Sequence, residues 1–138
     1  MTTLILSDIH GNLAALEAIA SAERFDDVIC LGDVVGYGPE PAACLRWLRS
    51  RDALIVQGNH DRALGENVPP RCTPQFQWLA DATFPIGETQ LTADEREYLA
   101  TLPPWAALER DGVQCMLVHA APRDRLYGYR PCTHGQTK

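Results

Sequence analysis

The sequence lacks the features that mark several large classes of protein. No cluster of lysine or arginine exceeds two or three residues, and the net charge is −6, which argues against a protein that binds nucleic-acid phosphates. No apolar run is long enough to cross a membrane, and the first residues lack the basic region and apolar core of a secretory signal. The five cysteines contain no CxxC pair, so neither a zinc ribbon nor a redox motif is indicated. We therefore expect a reduced, cytoplasmic protein without membrane or nucleic-acid partners.

Length and composition indicate one domain with a sizeable core. The chain has 138 residues, of which 46% are hydrophobic, and this is enough for a single hydrophobic core. Charged residues make up 22% of the chain, a share that does not favour disorder. The predicted domain spans residues 1–138, and we interpret residues 121–138, rich in proline, glycine, arginine and tyrosine, as loop and tail.

The N-terminal part alternates short apolar runs with helical patterns. The apolar runs predict buried strands at residues 4–7, 27–31 and 54–57. Between them, Asn12 is placed to cap a helix over residues 13–22, and Pro41 suits the first turn of a helix over residues 41–49. This β-α-β-α-β order is typical of an α/β fold with a parallel sheet and right-handed crossovers.

The second half gives weaker signals until its end. Residues 63–90 contain several prolines and predict a loop with one short helix at 75–82. Thr92 and Glu95 form a capping-box pattern that predicts a helix to about residue 102. Asp111 and Gly112 separate two apolar runs, at 106–109 and 113–119, and predict a later β-hairpin.

Polar clusters follow each of the three predicted parallel strands. They are Asp8-Ile9-His10, Gly32-Asp33 and Gly58-Asn59-His60-Asp61, with intervals of 25 residues from Asp8 to Asp33 and 26 from Asp33 to Asn59, and His119 follows the last predicted strand. Each cluster alone is also explained by turn or capping chemistry, and a lone histidine is often a core or loop residue. Because the carboxyl ends of parallel strands meet at one edge, the combination favours a shared site over these separate explanations.

The donors in these clusters suit divalent metal ions. Carboxylate, amide and imidazole groups without thiolate favour Mn²⁺, and Fe, Zn or Ni suit the same set. Asp33 is placed to share its carboxylate between two cations, which together clamp a phosphate and activate water. His60, adjacent to Asn59, would then face the leaving oxygen as a general acid. We expect Gly32 and Gly58 to allow close approach or a positive φ, and Asp61 has no assigned role.

Together these motifs resemble the calcineurin-like metallophosphoesterase superfamily. The resemblance rests on Asp8-Ile9-His10, Gly32-Asp33-Val34-Val35-Gly36, Gly58-Asn59-His60-Asp61 and Val118-His119-Ala120, and the stretches 7–13 and 32–41 are most similar to its bacterial phosphodiesterase-like branch. It implies a two-metal site on an α/β/β/α sandwich. It further implies that Asp8, His10 and Asp33 hold one metal, that Asp33, Asn59 and His119 hold the other, and that His60 is catalytic.

Two departures from the family pattern shape the expectation. Gly36-Tyr37 stands where the protein phosphatase branch has an Asp-Arg pair, which argues against a phosphoprotein phosphatase. The final Gly-His-x-His motif is absent, so we expect a partial sandwich, with His134 in the tail. An incomplete second sheet would leave an open edge at the hairpin, and this predicts self-association.

The functional hypothesis is hydrolysis of phosphomonoesters or phosphodiesters by water activated between two divalent cations, with a small phosphoester or nucleotide as substrate. The alternative is a catalytically weak or inactive family member that binds metal or phosphate, or acts through a partner.

Overall fold

The computed structural model describes residues 1–128. Three parallel strands, β1 (Thr3–Leu6), β2 (Asp27–Cys30) and β3 (Leu54–Ile55), form a sheet in that order. The crossovers contain α1 (Leu13–Ala22) and α2 (Pro41–Arg49), which confirms the predicted β-α-β-α-β order. Each predicted strand continued one or two residues too far, and those residues instead begin the loops that carry the polar clusters.

Local chemistry starts both crossover helices as predicted. The Asn12 side chain accepts a hydrogen bond from the Ala15 N–H at 3.0 Å and caps α1. Pro41 is the first residue of α2, where a backbone N–H would have no partner within the helix. The two helices therefore begin at positions that the sequence specifies.

Alternate residues of the central strand face two different layers. Val28 and Cys30 belong to the large core that also contains side chains of the helices. Ile29 packs in a second cluster with Val56 and Leu117, the latter from the hairpin. The three-stranded sheet therefore lies between a helical layer and a hairpin, because successive strand side chains point to opposite faces.

Three helices follow the third strand: α3 (Asn59–Glu66), α4 (Pro74–Gln90) and α5 (Ala93–Thr101). The prediction of a short helix at 75–82 was wrong, because α4 has 17 residues and continues through Pro85. Proline removes one helical hydrogen bond, but the surrounding packing retains the helix: a β-carbon at Gly87 would overlap with Leu64 of α3. Pro74, interpreted as a loop residue, is the first residue of α4.

The predicted hairpin consists of β4 (Trp105–Arg110) and β5 (Val113–Val118). Its two-residue turn, Asp111 and Gly112, has φ values of 51° and 77°, the left-handed pair that a type I′ turn requires. Arg110 also forms an ion pair of 2.6 Å with Asp27 of β2. The hairpin thereby delivers the residue after β5, His119, to the carboxyl end of the parallel sheet.

In the part that the structure describes, no helix combines the length and apolar character needed to cross a bilayer. The predicted tail lies outside the described residues from position 129 onward, and His134 lies outside them too.

Candidate metal centre

The loops after β1 and β2 run side by side. The Asp8 N–H donates to the Gly32 carbonyl at 3.0 Å, and the His10 N–H donates to the Asp33 carbonyl at 2.9 Å. Since both loops begin at the same edge of the sheet, these bonds fix the first polar cluster against the second.

Three side chains of the site project from left-handed backbone. The φ values of Asp8, His10 and Asp33 are 54°, 49° and 54°, a region that residues other than glycine occupy rarely. Such conformations persist when surrounding bonds enforce them, and they concentrate at functional sites. The inter-loop hydrogen bonds provide that enforcement here.

Two histidines are oriented by backbone carbonyls. His10 Nδ1 lies 3.1 Å from the Val35 carbonyl, and His119 Nδ1 lies 2.9 Å from the Leu31 carbonyl. A carbonyl only accepts, so each Nδ1 donates to it, and this hydrogen bond turns each Nε2 toward Asp33. The two Nε2 atoms lie 3.6 Å and 3.4 Å from Asp33 Oδ2.

Asp33 is the buried centre of this group. Its exposed fraction is 2%, and its Oδ1 accepts the His60 N–H at 2.9 Å. Burial alone would raise its pKa, but the hydrogen bond and charge of His119, followed by the charges of His60 and His10, hold the pKa below the usual value. Burial likewise opposes protonation of His119, yet Asp33 raises the pKa of that histidine to about 9.

Asn59 and His60 occupy the first turn of α3, a helix that the sequence analysis did not predict. Asn59 Nδ2 donates to the Arg71 carbonyl at 2.8 Å, and Asn59 Oδ1 lies 3.1 Å from His119 Nε2. The His60 ring packs against the rings of His10 and Tyr37, with centroid distances of 5.0 Å and 4.5 Å. Burial lowers the pKa of His60.

Asp61 has a structural role that sequence reasoning missed. Its fully buried carboxylate accepts hydrogen bonds from the N–H groups of Gly58 (2.9 Å), Asp33 (2.8 Å), Val34 (2.9 Å) and Val35 (3.3 Å). It therefore joins the second loop to the start of α3. Burial, and next the charge of Asp33, raise the pKa of Asp61, while the N–H donors oppose that shift. The Gly-Asn-His-Asp order was the available signal, because a carboxylate three residues after an N-cap is typical of helix capping.

Glycine at position 58 is explained by contact with Asp33. Its φ of −93° suits any residue, so conformational freedom is not the reason. A β-carbon there would overlap with Asp33 Oδ1. Gly32, by contrast, has a φ of +95°, which favours glycine. Glycine is thus required at both positions, at Gly58 by the contact with Asp33 and at Gly32 by the positive φ.

All six residues singled out in the sequence meet at this edge of the sheet. Two sets of three have ligand atoms within 4.8 Å of one another: one is Asp8, Asp33 and His119, and the other is His10, Asp33 and His60. Asp33 belongs to both sets. The resemblance implies other sets, which pair His10 with Asp8 and His119 with Asn59. These pairs are also close, with 3.8 Å from His10 Nε2 to Asp8 Oδ1 and 3.1 Å from His119 Nε2 to Asn59 Oδ1. Carboxylate and imidazole donors around one shared carboxylate suit divalent metal ions.

A cleft of about 190 Å³ opens onto these donors. It adjoins a larger cavity of about 590 Å³. Four residues line both: Asp8, His10, Tyr37 and Phe76. The donor cluster is therefore accessible from a space large enough for a small molecule.

Comparison with known proteins identifies the family. The model of the calcineurin-like phosphoesterase family matches residues 1–135. The chain belongs to the calcineurin-like phosphoesterase family. The donor chemistry of the cluster fits the divalent metal binding that this family implies.

Individual relatives of this chain are longer than the chain itself. A metallophosphoesterase from Sphaerobacter thermophilus is 36% identical with a TM-score of 0.72, over 94% of this chain and 51% of that one. The symmetrical bis(5′-nucleosyl)-tetraphosphatase of Methylococcus capsulatus is 32% identical over 126 residues, 87% of this chain and 43% of that protein. The structure of a putative diadenosine tetraphosphatase is 31% identical with a TM-score of 0.56, over 75% and 43%. The chain thus spans about half of these relatives or less.

Proposed function

We propose that this chain hydrolyses small phosphoesters with two divalent cations, and that the cations are Mn²⁺. The observation that carries the proposal is the position of Asp33, whose carboxylate lies within 3.6 Å of the Nε2 atoms of His10 and His119. A buried carboxylate with imidazoles on either side is suited to join two cation sites. Cations held there supply Lewis acidity toward a phosphoryl oxygen and activate water.

The residues divide into two roles in this proposal. Asp8, His10 and Asp33 hold one cation, and Asp33, Asn59 and His119 hold the other. Their support is the orientation of each donor: the carbonyls of Val35 and Leu31 aim the two imidazoles, and the Arg71 carbonyl aims Asn59 Oδ1 toward His119.

His60 is the proposed catalytic acid. It lines the cleft, and its backbone N–H is fixed by Asp33. From there its ring is placed to donate a proton to the leaving oxygen of a bound ester.

A nucleotide is the proposed substrate class. Two relatives carry the names bis(5′-nucleosyl)-tetraphosphatase and putative diadenosine tetraphosphatase, which denote action on nucleoside polyphosphates. The size of the adjoining cavity supports an ester that carries a bulky organic group.

The test is hydrolysis of bis(p-nitrophenyl) phosphate by the purified chain with added Mn²⁺, together with metal analysis. We expect two ions per chain and chelator-sensitive turnover. Asp33→Asn should lose metal and reduce kcat by about 100-fold or more, because removing a shared ligand affects both sites. His60→Ala should lower kcat by about 100-fold while it retains metal.

Asp26→Asn is the matched control, because Asp26 is an exposed carboxylate just before β2. It should leave metal content and turnover unchanged. Undiminished turnover in Asp33→Asn contradicts the proposal. One ion or none per chain, with no turnover, would instead support the alternative of a family member that binds metal or phosphate without catalysis.

A further inference from the structure

The larger cavity beside the donor cluster is lined mainly by apolar and aromatic side chains. We name it the aromatic cavity and define it by six of its lining residues, Ile9, Asn12, Tyr37, Pro39, Phe76 and Leu79. Its volume of about 590 Å³ lies within the range of small-molecule sites, about 300–1,000 Å³. Most of these side chains are apolar, whereas a phosphate would require polar or charged contacts.

One wall of the aromatic cavity is rigid. The Tyr37 ring packs against the rings of both His10 and His60, at 4.6 Å and 4.5 Å. The backbone of Tyr37 is also left-handed, with a φ of 54°, which is rare for a bulky residue and persists only where the surroundings impose it. This wall is therefore held at a fixed distance from the donor cluster.

A second part of the cavity lining is the exposed aromatic ring of Phe76. Phe76 lies in the first turn of α4, is 56% exposed, and has its ring centroid 6.5 Å from that of Tyr37. More than half of the surface of Phe76 is in contact with water and not with protein. This apolar surface is available to a ligand at the mouth of the cavity. Trp78, two residues further along α4, is 68% exposed and does not line the cavity.

We propose that the aromatic cavity binds the nucleobase of a nucleotide whose phosphate lies at the donor cluster. The proposal rests on the function proposed above and assigns the base-binding part of that site. A flat aromatic ring suits the apolar walls, since stacking and burial need no matched hydrogen bonds. Asp8 and His10 line both spaces, so a single molecule spans the cluster and the cavity.

The same walls predict weak discrimination among bases. The acceptor oxygen of Asn12 is already engaged, because Oδ1 caps α1. Selection by base identity requires hydrogen-bonding groups that are left unpaired by the wrong base, whereas stacking tolerates every base. The site therefore distinguishes a nucleotide from a sugar phosphate, and purines from pyrimidines only slightly.

The experiment is calorimetric titration of the Mn²⁺-loaded chain with AMP, UMP, ribose 5-phosphate and inorganic phosphate. AMP and ribose 5-phosphate share sugar and phosphate and differ in the base alone. We expect AMP to bind about tenfold more tightly than ribose 5-phosphate, and UMP to bind within a few-fold of AMP. Equal affinities for AMP and ribose 5-phosphate would overturn the proposal.

Variants on α4 test whether the base preference depends on Phe76 in the cavity or on any exposed aromatic residue of this helix. Phe76→Ala should bring the ratio of the AMP and ribose 5-phosphate affinities close to one, and Phe76→Leu should restore only part of the preference for AMP. Trp78→Ala is the matched control, an exposed aromatic on the same helix, and should retain the full preference. If Trp78→Ala acts as Phe76→Ala does, the assignment to the aromatic cavity is wrong.

The outcomes distinguish this inference from the proposed function. Binding is read without turnover, so a base preference in a chain that hydrolyses nothing would retain the cavity assignment and refute catalysis. Hydrolysis of bis(p-nitrophenyl) phosphate without any base preference would support catalysis and refute the assignment of the aromatic cavity.

Discussion

Asp61 shows how a single side chain connects separate parts of this site. Its two carboxylate oxygens accept four backbone N–H groups, three of them from residues 26 to 28 positions earlier in the chain. These N–H groups belong to the loop that carries Asp33. The position of Asp33 relative to α3 therefore depends on a residue outside the proposed set of metal ligands.

Asp61→Asn tests this dependence. An amide nitrogen in place of one oxygen turns an acceptor into a donor, so two of the four buried N–H groups lose their partner. We expect a loss of about 3 kcal/mol in the free energy of unfolding, measured by urea denaturation. Metal affinity should fall as well, because the loop of Asp33 is no longer fixed.

Asp52→Asn provides the comparison for that measurement. Asp52 is exposed and has a φ of 50°, a conformation that asparagine tolerates as well as aspartate does. Its substitution should change stability by less than about 0.5 kcal/mol. Equal stabilities of the two variants would contradict the role of Asp61.

Sequence patterns predict these residues unequally, and the reason is physical. Asp8 and Asp33 follow strands of the parallel sheet, so the topology of that sheet was enough to bring them together. His119 follows β5 of the antiparallel hairpin and reaches the site through the packing of that hairpin. The partners of Asp61 are backbone groups of distant residues, which have no signature in side-chain identity. The contact that requires glycine at position 58 is equally non-local, since it depends on the placement of the Asp33 carboxylate.

At the scale of elements, helices with clear terminal signals were predictable and helices without them were not. The Thr92 and Glu95 pattern correctly placed the start of α5 (Ala93–Thr101), where each residue accepts the backbone N–H of the other, at 3.2 Å and 2.9 Å. The helix α4 was underestimated, because it continues through Pro85, a residue type that usually ends a helix, where tertiary packing retains it.

Glu95 also joins α5 to α2, and this contact makes stability depend on pH. Arg46 donates to both of its oxygens, at 2.6 Å and 3.1 Å. Hydrogen bonds from Arg46, and also from the Thr92 N–H, hold the pKa of Glu95 below its usual value, although partial burial opposes this. The pKa of Glu95 is therefore lower in the folded chain than in the unfolded chain, where it is about 4.3. Above that unfolded pKa, the contact of Glu95 with Arg46 contributes its full stabilisation to the fold. This stabilisation is lost as the pH falls through the folded pKa of Glu95.

Glu95→Gln is therefore expected to lower the free energy of unfolding at pH 7 by about 1 kcal/mol. The difference from the unsubstituted chain should shrink steadily as the pH falls below 4. Urea denaturation across this range measures it. Glu97→Gln, at an exposed position of the same helix, should show no such trend. A difference that persists unchanged at low pH would show that the charge of Glu95 is not the cause.

At the scale of the whole molecule, the hairpin has unpaired strand edges and exposed apolar side chains within the described part of the chain. Within residues 1–128, β4 and β5 pair with each other and with no further strand. Met116 is 45% exposed and Trp105 is 41% exposed. Unpaired strand edges beside exposed apolar side chains favour association with another chain.

We expect the purified chain to self-associate through this hairpin, with a molar mass by light scattering that rises with protein concentration. Met116→Lys should reduce that rise, because a charge beside a strand edge opposes pairing. Gln114→Lys adds the same charge at an exposed position of β5 without removing apolar surface, so its effect should be smaller. A constant monomer mass at all concentrations would refute the expectation.

The ligand positions also determine how metal binding relates to folding. Asp8, Asp33 and His119 come from three separate loops, more than a hundred residues apart at the extremes, so no short segment of the unfolded chain holds a comparable site. Ions that bind only the native form shift the unfolding equilibrium in proportion to their free concentration. The proposed metal site therefore predicts that ligation and global stability are thermodynamically linked: unfolding of the sheet releases the metal, and the free metal concentration sets how readily the sheet unfolds.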